Sequence, residues 1–261
     1  MDLTAVGGSI DDFLAGRCGR PPAAGDVLAF SGASHVDRFI QKATLSKISH
    51  VGILIQPEGP QPAGAEASLS LLEATGLGVT VTPLEDALAS YRLDHTCFYL
   101  PLADAPRASL LPAALSAYYA QNAANKYNYA GVAAAGLYDL ENPLFHLLME
   151  HVGHQFPVAR IANWWTHLGE RLWDEVFGLD PSYRRLFCSQ LVTAALLAAR
   201  ILLPGPPNAR LVVPVQVCRF DIYGGAYQLN GAALMADPFE WGAAPLLAEA
   251  LAAAGEDEVR P

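Results

Sequence analysis

The stretch "RLFCSQLVTAALLAARILL", residues 185–203, is the most informative part of the sequence for the fold, because it combines an apolar run with a cysteine at its start. Its composition predicts a helix of about four turns. Cys188 lies in the first turn, where unpaired N–H groups and the helix dipole favour a thiolate and can stabilise an oxyanion. Leu191, Val192 and Ala195 follow at helical spacing, so this face packs inward. Taken alone, Cys188 fits a small buried hydrophobe better than a nucleophile.

The composition of the whole chain favours a globular protein with a sizeable core. The chain has 261 residues, of which 52% are hydrophobic and 16% are charged, and this excludes a disordered chain. We expect a single catalytic domain over residues 1–261. The formal net charge is −10 and no basic stretch extends beyond Arg184-Arg185. We therefore expect no nucleic-acid partner, and an anionic membrane surface would repel the average surface of the protein.

The first 26 residues have neither a basic region nor a long apolar run, so we expect no Sec signal peptide there. No uncharged apolar run in the chain reaches the length that a bilayer requires. The sequence therefore predicts a soluble protein made in the cytoplasm without a signal peptide, and it leaves export by a signal-independent secretion system open.

Metal and disulfide chemistry find little support in the sequence. The four cysteines are widely scattered, without a CxxC or Cys/His ligand spacing. His146, His151, His154 and His167 invite a metal interpretation, but "HVGH" has no glutamate at the spacing of a zinc hydrolase. We expect no metal and no cofactor.

Hydrophobic periodicity predicts a run of strands followed by helices. Strands are predicted at 25–30, 49–56, 69–75, 77–84, 95–102 and 209–220 (the last one strand or two around Pro214), helices at 35–47 and 108–125, and an acidic surface helix in the tail, 236–261. Residues 131–183 stand apart, because three of the four tryptophans and four of the seven histidines lie there. We interpret this segment as a helical insertion that caps the site, although a second small core would need the same aromatic residues.

Two polar residues lie within apolar strands and are candidate partners of the thiol. His50 opens the strand of "ISHVGIL", and Glu73 lies in "LLEATG". If the fold brings them to Cys188, His50 completes a Cys–His pair and Glu73 orients its ring. Alternatively, His50 is an edge histidine and Glu73 points to water at a hairpin end. Asp26 in "GDVLAF" is interpreted as structural, and His35 ranks below His50 as a site residue.

The blocks "GDVLAF", "SHVGILI", "LLEATGLGVTVTPL", "NKYNYAG" and "LFCSQLVTAAL" together resemble the permuted NlpC-like papain-fold cysteine hydrolases. The YiiX-like branch is the most similar, with the LRAT-like acyltransferases as relatives. In this permuted group the histidine precedes the cysteine, as here. The resemblance covers residues 25 to about 200, apart from the insertion. It implies an α+β, circularly permuted papain-like fold, in which an antiparallel sheet packs on the Cys-bearing helix.

The same resemblance implies the site residues. Cys188 is the nucleophile, His50 the base and Glu73 the orienting group. Tyr127 in "KYNY" matches a tyrosine near the site and is a candidate catalytic residue, whose hydroxyl would help to bind the oxyanion. The family often has Cys-Ser-Glu where this chain has Gln190 after Cys-Ser, a departure that leaves the thiol in place.

The expected function is a hydrolase or acyltransferase that forms an acyl-thioester and needs no cofactor. The apolar insertion favours a lipid or other acyl substrate, with transient membrane contact. A peptidoglycan-type peptidase or amidase is the first alternative, and a non-catalytic binding module of the same fold is the second. A bacterial antagonistic effector is one role compatible with these features.

Overall fold

An α+β fold is formed by the residues that the computed structural model describes, namely 5–56, 68–123, 126–127, 185–202, 209, 212–231 and 233–240. The predicted cap at 131–183 and all of the tail beyond residue 240 lie outside these described residues. Among the helices within them, none has both the length and the apolar character that crossing a bilayer demands.

Nine strands lie in the described ranges, of which seven form one sheet and the other two pair with each other. The strands are β1 (Ala5–Gly7), β2 (Val27–Gly32), β3 (His50–Ile55), β4 (Ser70–Thr75), β5 (Gly78–Pro83), β6 (His95–Leu100), β7 (Lys126–Tyr127), β8 (Arg185–Leu186) and β9 (Ala226–Gln228). The large sheet has the order β1-β9-β6-β2-β3-β4-β5. Its pairs are antiparallel except for the parallel pair β1–β9. β7 and β8 are also parallel.

Seven helices connect and cover these strands in the described part of the chain. They are α1 (Ile10–Leu14), α2 (His35–Thr44), α3 (Leu84–Tyr91), α4 (Asp104–Ser109), α5 (Pro112–Asn122), α6 (Cys188–Ala198) and α7 (Pro214–Cys218). The single helix predicted at 108–125 is wrong in its first turns. The chain breaks at Leu110 and Leu111, both extended, because the residue before Pro112 is sterically disfavoured in the helical region.

The two faces of the sheet bury separate cores. On one face, alternate residues such as Val51 and Ile53 pack against Leu191 and Val192 of α6. The opposite face packs on α1 and α3 through a second group, which includes Leu28, Phe30, Leu54, Leu71, Tyr99, Leu84, Leu88 and Phe13. Complete burial of each such aliphatic or aromatic side chain contributes about 1.5–3 kcal/mol. The hydrophobic pattern thereby fixes α6 against β3 and β4.

The strand predicted at 209–220 is wrong. Residues Pro214–Cys218 form α7, a single short helix. Pro214 takes the first helical position, where its missing N–H costs no hydrogen bond, and the Gln216 Oε1 atom accepts the N–H of Val213 at 2.7 Å. Of the valines that suggested a strand, Val215 and Val217 are buried in this helix, and Val212 and Val213 are buried in the extended segment before it. The late strand of the sheet, β9, lies eight residues further along.

Asp26, at the entrance to β2, joins three elements through its buried carboxylate. It accepts the N–H groups of Ala23 and Leu102, both at 2.9 Å, and the hydroxyl of Tyr99 at 2.8 Å. Its Oδ1 atom also pairs with Arg107 of α4. The structural interpretation of Asp26 is confirmed by these contacts.

Candidate active site

His50 is the first residue of β3, and its ring lies between two other side chains of interest. Its Nε2 atom donates to Oε2 of Glu73 at 2.8 Å. Cys188 lies close enough to act on the ring electrostatically. Since Nε2 is taken by Glu73, the other ring nitrogen, Nδ1, is left for the thiol. The structure therefore brings together three residues that lie far apart in the sequence: Cys188, His50 and Glu73.

The electrostatic surroundings of His50 favour the imidazolium. Burial alone would lower the pKa of His50, but other contributions outweigh it. The negative charge of an ionised Cys188 and the hydrogen bond to it, followed by the bond and charge of Glu73, raise the pKa of His50 to about 10. A thiolate next to an imidazolium is the ion pair that activates a cysteine nucleophile.

Cys188 is held at the N-terminus of α6 by extended backbone before it. Phe187 is the N-cap residue, with φ −107° and ψ 165°, and no side chain caps the helix. The first helical bond runs from the N–H of Leu191 to the carbonyl of Phe187 at 2.9 Å. The N–H groups of Cys188 and Ser189 precede that bond and lack intrahelical partners. They can therefore donate hydrogen bonds to an anion, either the sulfur of a thiolate or an oxygen of a substrate.

The Cys188 side chain is fully buried. A small apolar residue at this position would show the same burial, so burial does not separate the two interpretations of Cys188. What distinguishes Cys188 from the other buried cysteines is its electrostatic interaction with the His50 ring. Ser189 fixes the helix start, because its hydroxyl donates to the Val212 carbonyl at 2.7 Å.

Tyr91, the last residue of α3, is a member of this cluster that the sequence analysis missed. Its hydroxyl donates to Oε2 of Glu73 at 2.6 Å, the same oxygen that His50 contacts. A signal for it was present, because Leu84, Leu88 and Tyr91 follow the i, i+4, i+7 spacing of one helix face. That spacing places Tyr91 toward the sheet, but it does not reveal Glu73 as its partner.

A second histidine lies at the same end of the sheet, in its own set of carboxylates. Nδ1 of His95 lies 2.6 Å from Asp94, and its Nε2 lies 3.3 Å from Asp37. Ser49 donates to Asp37 at 2.7 Å, and the hydroxyl of Ser34 bonds the other oxygen of that carboxylate. Burial alone would lower the pKa of His95, but its two carboxylate partners raise it. Burial would likewise raise the pKa of Asp37, but the bonds from His95 and the two serines hold it well below its usual range.

An aromatic stack joins the two histidine clusters. The Tyr91 ring stacks on Phe30 with centroids 4.0 Å apart, and it lies 5.9 Å from the ring of His50. The His95 ring meets Tyr91 edge-on at 5.0 Å. Tyr91 therefore contacts both clusters.

A cavity of about 790 Å³ opens beside His95 at this end of the sheet. Its lining is rich in polar groups, including Arg92, Asp94, His95 and Asn230. Cys188, His50 and Glu73 do not line it, so the cavity is a neighbour of the thiol–imidazole pair rather than its immediate surroundings.

The remaining sequence candidates have different outcomes. Only the main chain of Tyr127 is described, and it lies opposite Leu186 in the β7–β8 pair, two residues before Cys188. The role of the Tyr127 side chain stays a prediction. His35 is exposed at the first residue of α2. The four histidines of the insertion lie outside the described residues. Within the described ranges, no group of three or more His, Cys, Asp or Glu residues is arranged to hold a metal ion.

Comparisons with known proteins find no matching sequence family and a weak structural similarity. No family model matches the chain, and no curated protein matches it. Among solved structures, the chain is similar to the metalloprotein yiiX from Escherichia coli O157:H7 (DUF1105), with 20% identity and a TM-score of 0.32. That match covers 52% of this chain and 86% of the other. A similarity at this level decides neither the strand order nor the chemistry of this chain.

Proposed function

We propose that this protein is a cysteine hydrolase or acyltransferase in which Cys188 is the nucleophile, His50 the general base and acid, and Glu73 the orienting group. One observation carries the proposal. The His50 ring donates to Glu73 at 2.8 Å and interacts electrostatically with Cys188, which begins a helix. Nucleophile, base and orienting group in this relation are the arrangement of a catalytic triad.

The proposed reaction has two steps. His50 takes the proton of Cys188, and the sulfur attacks a substrate carbonyl, whose electron pair moves to the oxygen. The N–H groups at the start of α6 stabilise that oxyanion. The oxyanion collapses, the bond to the leaving group breaks, and the His50 imidazolium protonates the leaving group. His50 then removes a proton from water or another acceptor, which attacks the acyl-thioester and releases Cys188.

The chain order supports a permuted papain-like fold as part of this proposal. The histidine strand β3 precedes the cysteine helix α6, and Glu73 lies on β4, the antiparallel neighbour of β3. This order fits the resemblance on which the family was suggested. The preference for lipid or other acyl substrates, and with it transient membrane contact, rests on the apolar residues of 131–183, which lie outside the described residues.

A peptidase or amidase is the second candidate, because the resemblance extends to hydrolases that cleave amide bonds in peptidoglycan peptides. The polar cavity beside His95 is not lined by Cys188, His50 or Glu73, so it is not assigned as the substrate pocket. Mass spectrometry distinguishes the two candidates. The protein is incubated with a membrane-lipid extract and, separately, with peptidoglycan fragments, and the mass added to Cys188 identifies the acyl group.

The nucleophile itself is tested by alkylation without any substrate. We expect iodoacetamide at neutral pH to label Cys188 faster than Cys97 or Cys218. Burial raises the pKa of Cys97 to about 12 and also raises that of Cys218, whereas Cys188 lies beside the His50 imidazole at the start of a helix. Residue-resolved mass spectrometry over a time course measures the three rates.

The variant His50→Ala should remove most of the rate advantage of Cys188, and Glu73→Gln should remove part of it. The exposed His35→Ala is the matched control and should leave the advantage intact. Slow, equal labelling of all three cysteines in the unaltered protein would overturn the catalytic proposal and leave the non-catalytic binding module as the better interpretation.

A further inference from the structure

The Tyr91 hydroxyl and the His50 ring share one oxygen of Glu73, and from this geometry we propose that Tyr91 is a positioning residue that holds Glu73 against His50. The inference rests on the proposed function and adds a fourth residue to it. Tyr91 acts through Glu73 and does not touch the reacting atoms.

The two hydrogen bonds to Glu73 define its orientation. Oε2 lies 2.6 Å from the Tyr91 hydroxyl and 2.8 Å from Nε2 of His50. A carboxylate oxygen has two lone-pair directions, so both donors are accommodated on the same atom. A carboxylate held by His50 alone can rotate about its terminal bond. With Tyr91 as the second donor, rotation breaks two bonds rather than one, and the oxygen stays directed at the imidazole.

The position of Tyr91 is itself fixed by packing. The Tyr91 ring stacks on Phe30 of β2 at 4.0 Å and at an interplanar angle of 26°. Its helix, α3, follows directly on β5, and β5 pairs with β4 along the whole length that contains Glu73. Donor and acceptor are therefore carried by elements that are covalently and laterally joined, which leaves little freedom in the distance between them.

Tyr91 remains a donor over the whole working pH range. Burial, followed by the charge of Glu73 and the bond to it, raises the pKa of Tyr91 far above its usual value. The hydroxyl therefore stays protonated near neutral pH, as a hydrogen-bond donor to Glu73 requires.

The charged and titratable groups around the pair come from several elements. Glu73 on β4, Cys188 on α6 and Asp37 on α2 all act on Tyr91, and His95 on β6 contacts its ring. All four of these groups contribute to any pH profile measured on the site. The control variant must therefore leave all four unchanged.

Tyr99 is that control. Its hydroxyl also donates to a carboxylate of the same sheet, Asp26, at 2.8 Å, and that carboxylate contacts neither His50 nor Cys188. Tyr99→Phe and Tyr91→Phe thus remove the same chemical group from the same kind of bond. The carboxylate that Tyr91 bonds, Glu73, contacts His50, whereas the carboxylate that Tyr99 bonds, Asp26, does not.

The test compares these two variants with the unaltered protein in two measurements. The first is the pH profile of Cys188 alkylation by iodoacetamide. The second is the titration of the His50 ring nitrogens by long-range ¹H–¹⁵N NMR, with urea unfolding as the check on stability. In Tyr91→Phe we expect Cys188 alkylation at pH 7 to slow by between about twofold and tenfold. The His50 titration midpoint should move to lower pH, because Glu73 holds the imidazolium less well. Tyr99→Phe should leave both at the unaltered values while lowering stability.

A Tyr91→Phe protein whose His50 titration matches the unaltered protein overturns the inference, even if its stability has fallen. If Cys188 is unreactive in the unaltered protein, the proposed function fails on its own, and the NMR measurement still decides whether Tyr91 positions His50.

Discussion

At the scale of single residues, Gly32 lets an ion pair lie directly against the backbone of β2. A Cβ atom at this position would lie 2.3 Å from Cγ of Asp37 and 2.4 Å from Nε2 of His95. These are distances that no side chain tolerates, so any other residue would push the pair apart. The ion pair between His95 and Asp37 therefore requires glycine at position 32, which has a hydrogen atom where alanine has a methyl group.

We expect Gly32→Ala to lower the free energy of unfolding by about 1–3 kcal/mol, as overpacking usually does. Urea unfolding monitored by circular dichroism measures it. Gly225→Ala is the matched control, because a Cβ there would meet Tyr227 only at 3.5 Å, an ordinary contact. Equal losses in the two variants would contradict the steric explanation.

The residues of the candidate site were predicted unevenly from the sequence, and the reason is the kind of signal each one leaves. His50 and Glu73 stood out as polar residues within apolar strands, and Cys188 as a thiol at a helix start. Tyr91 and His95 left no such mark, because an aromatic residue on a helix face and a histidine at a strand start are ordinary. Their partners, Glu73 and Asp37, are brought to them only by the pairing of strands.

At the scale of elements, the His95 cluster ties the start of β6 to the first turn of α2. The pKa of His95 is raised in the folded state, so the stability it contributes is fully present below the unfolded pKa of about 6.5 and is lost as the pH rises through the folded value. The pKa of Asp37 is lowered, so its contribution is present above about pH 4 and is lost as the pH falls. Both contributions are therefore complete between about pH 4 and pH 6.5.

We expect His95→Gln to reduce the free energy of unfolding more at pH 6 than at pH 9. Urea unfolding of variant and unaltered protein at both pH values gives the difference. His50 shares the direction of its pKa shift with His95 and remains in both proteins, so its contribution cancels in the comparison. A loss that is the same at both pH values would show that His95 acts through packing rather than through charge.

Periodicity predicted most of these elements, and it failed where one residue overrode the pattern. The hairpin of β4 and β5 and the strands β2, β3 and β6 follow from alternating or β-branched runs. Pro112 split one predicted helix. Pro214 began a helix inside a run, 209–220, whose valines favoured a strand. Proline fixes the backbone of its neighbours, whereas β-propensity mainly reflects packing that is known only once the fold is known.

At the scale of the whole molecule, the strand that joins β1 to the rest of the sheet comes from the far end of the chain. β9 (Ala226–Gln228) lies between β1 and β6, and pairs with both. No periodic signal could have predicted this, because a three-residue strand is too short for one and its partners are more than a hundred residues away. The α+β class was predictable, but this strand order was not.

A chain that ends at residue 202 retains β2 to β6 and α6 but lacks β9. We expect it to associate, because β6 then presents an unpaired edge. We expect it to unfold at a lower temperature than the full chain, because β1 has no partner and the buried residues of α7 are also missing. Size-exclusion chromatography and thermal unfolding measure the two effects. A monomeric truncated chain of unchanged thermal stability would show that β9 contributes little to the stability of the sheet.

The same strand order affects synthesis on the ribosome. The antiparallel neighbours β2 to β5 can pair as soon as they emerge, but the edge of β6 waits for residues 101–225 to be added, a delay on the order of ten seconds. During that time the nascent chain carries an open edge that can recruit other chains, and a holding chaperone would have a site to bind. His50, Glu73 and Tyr91 emerge well before Cys188. The imidazole and its carboxylate are thus made before the sulfur, and the proposed thiol–imidazole pair forms only after residue 188 has been added.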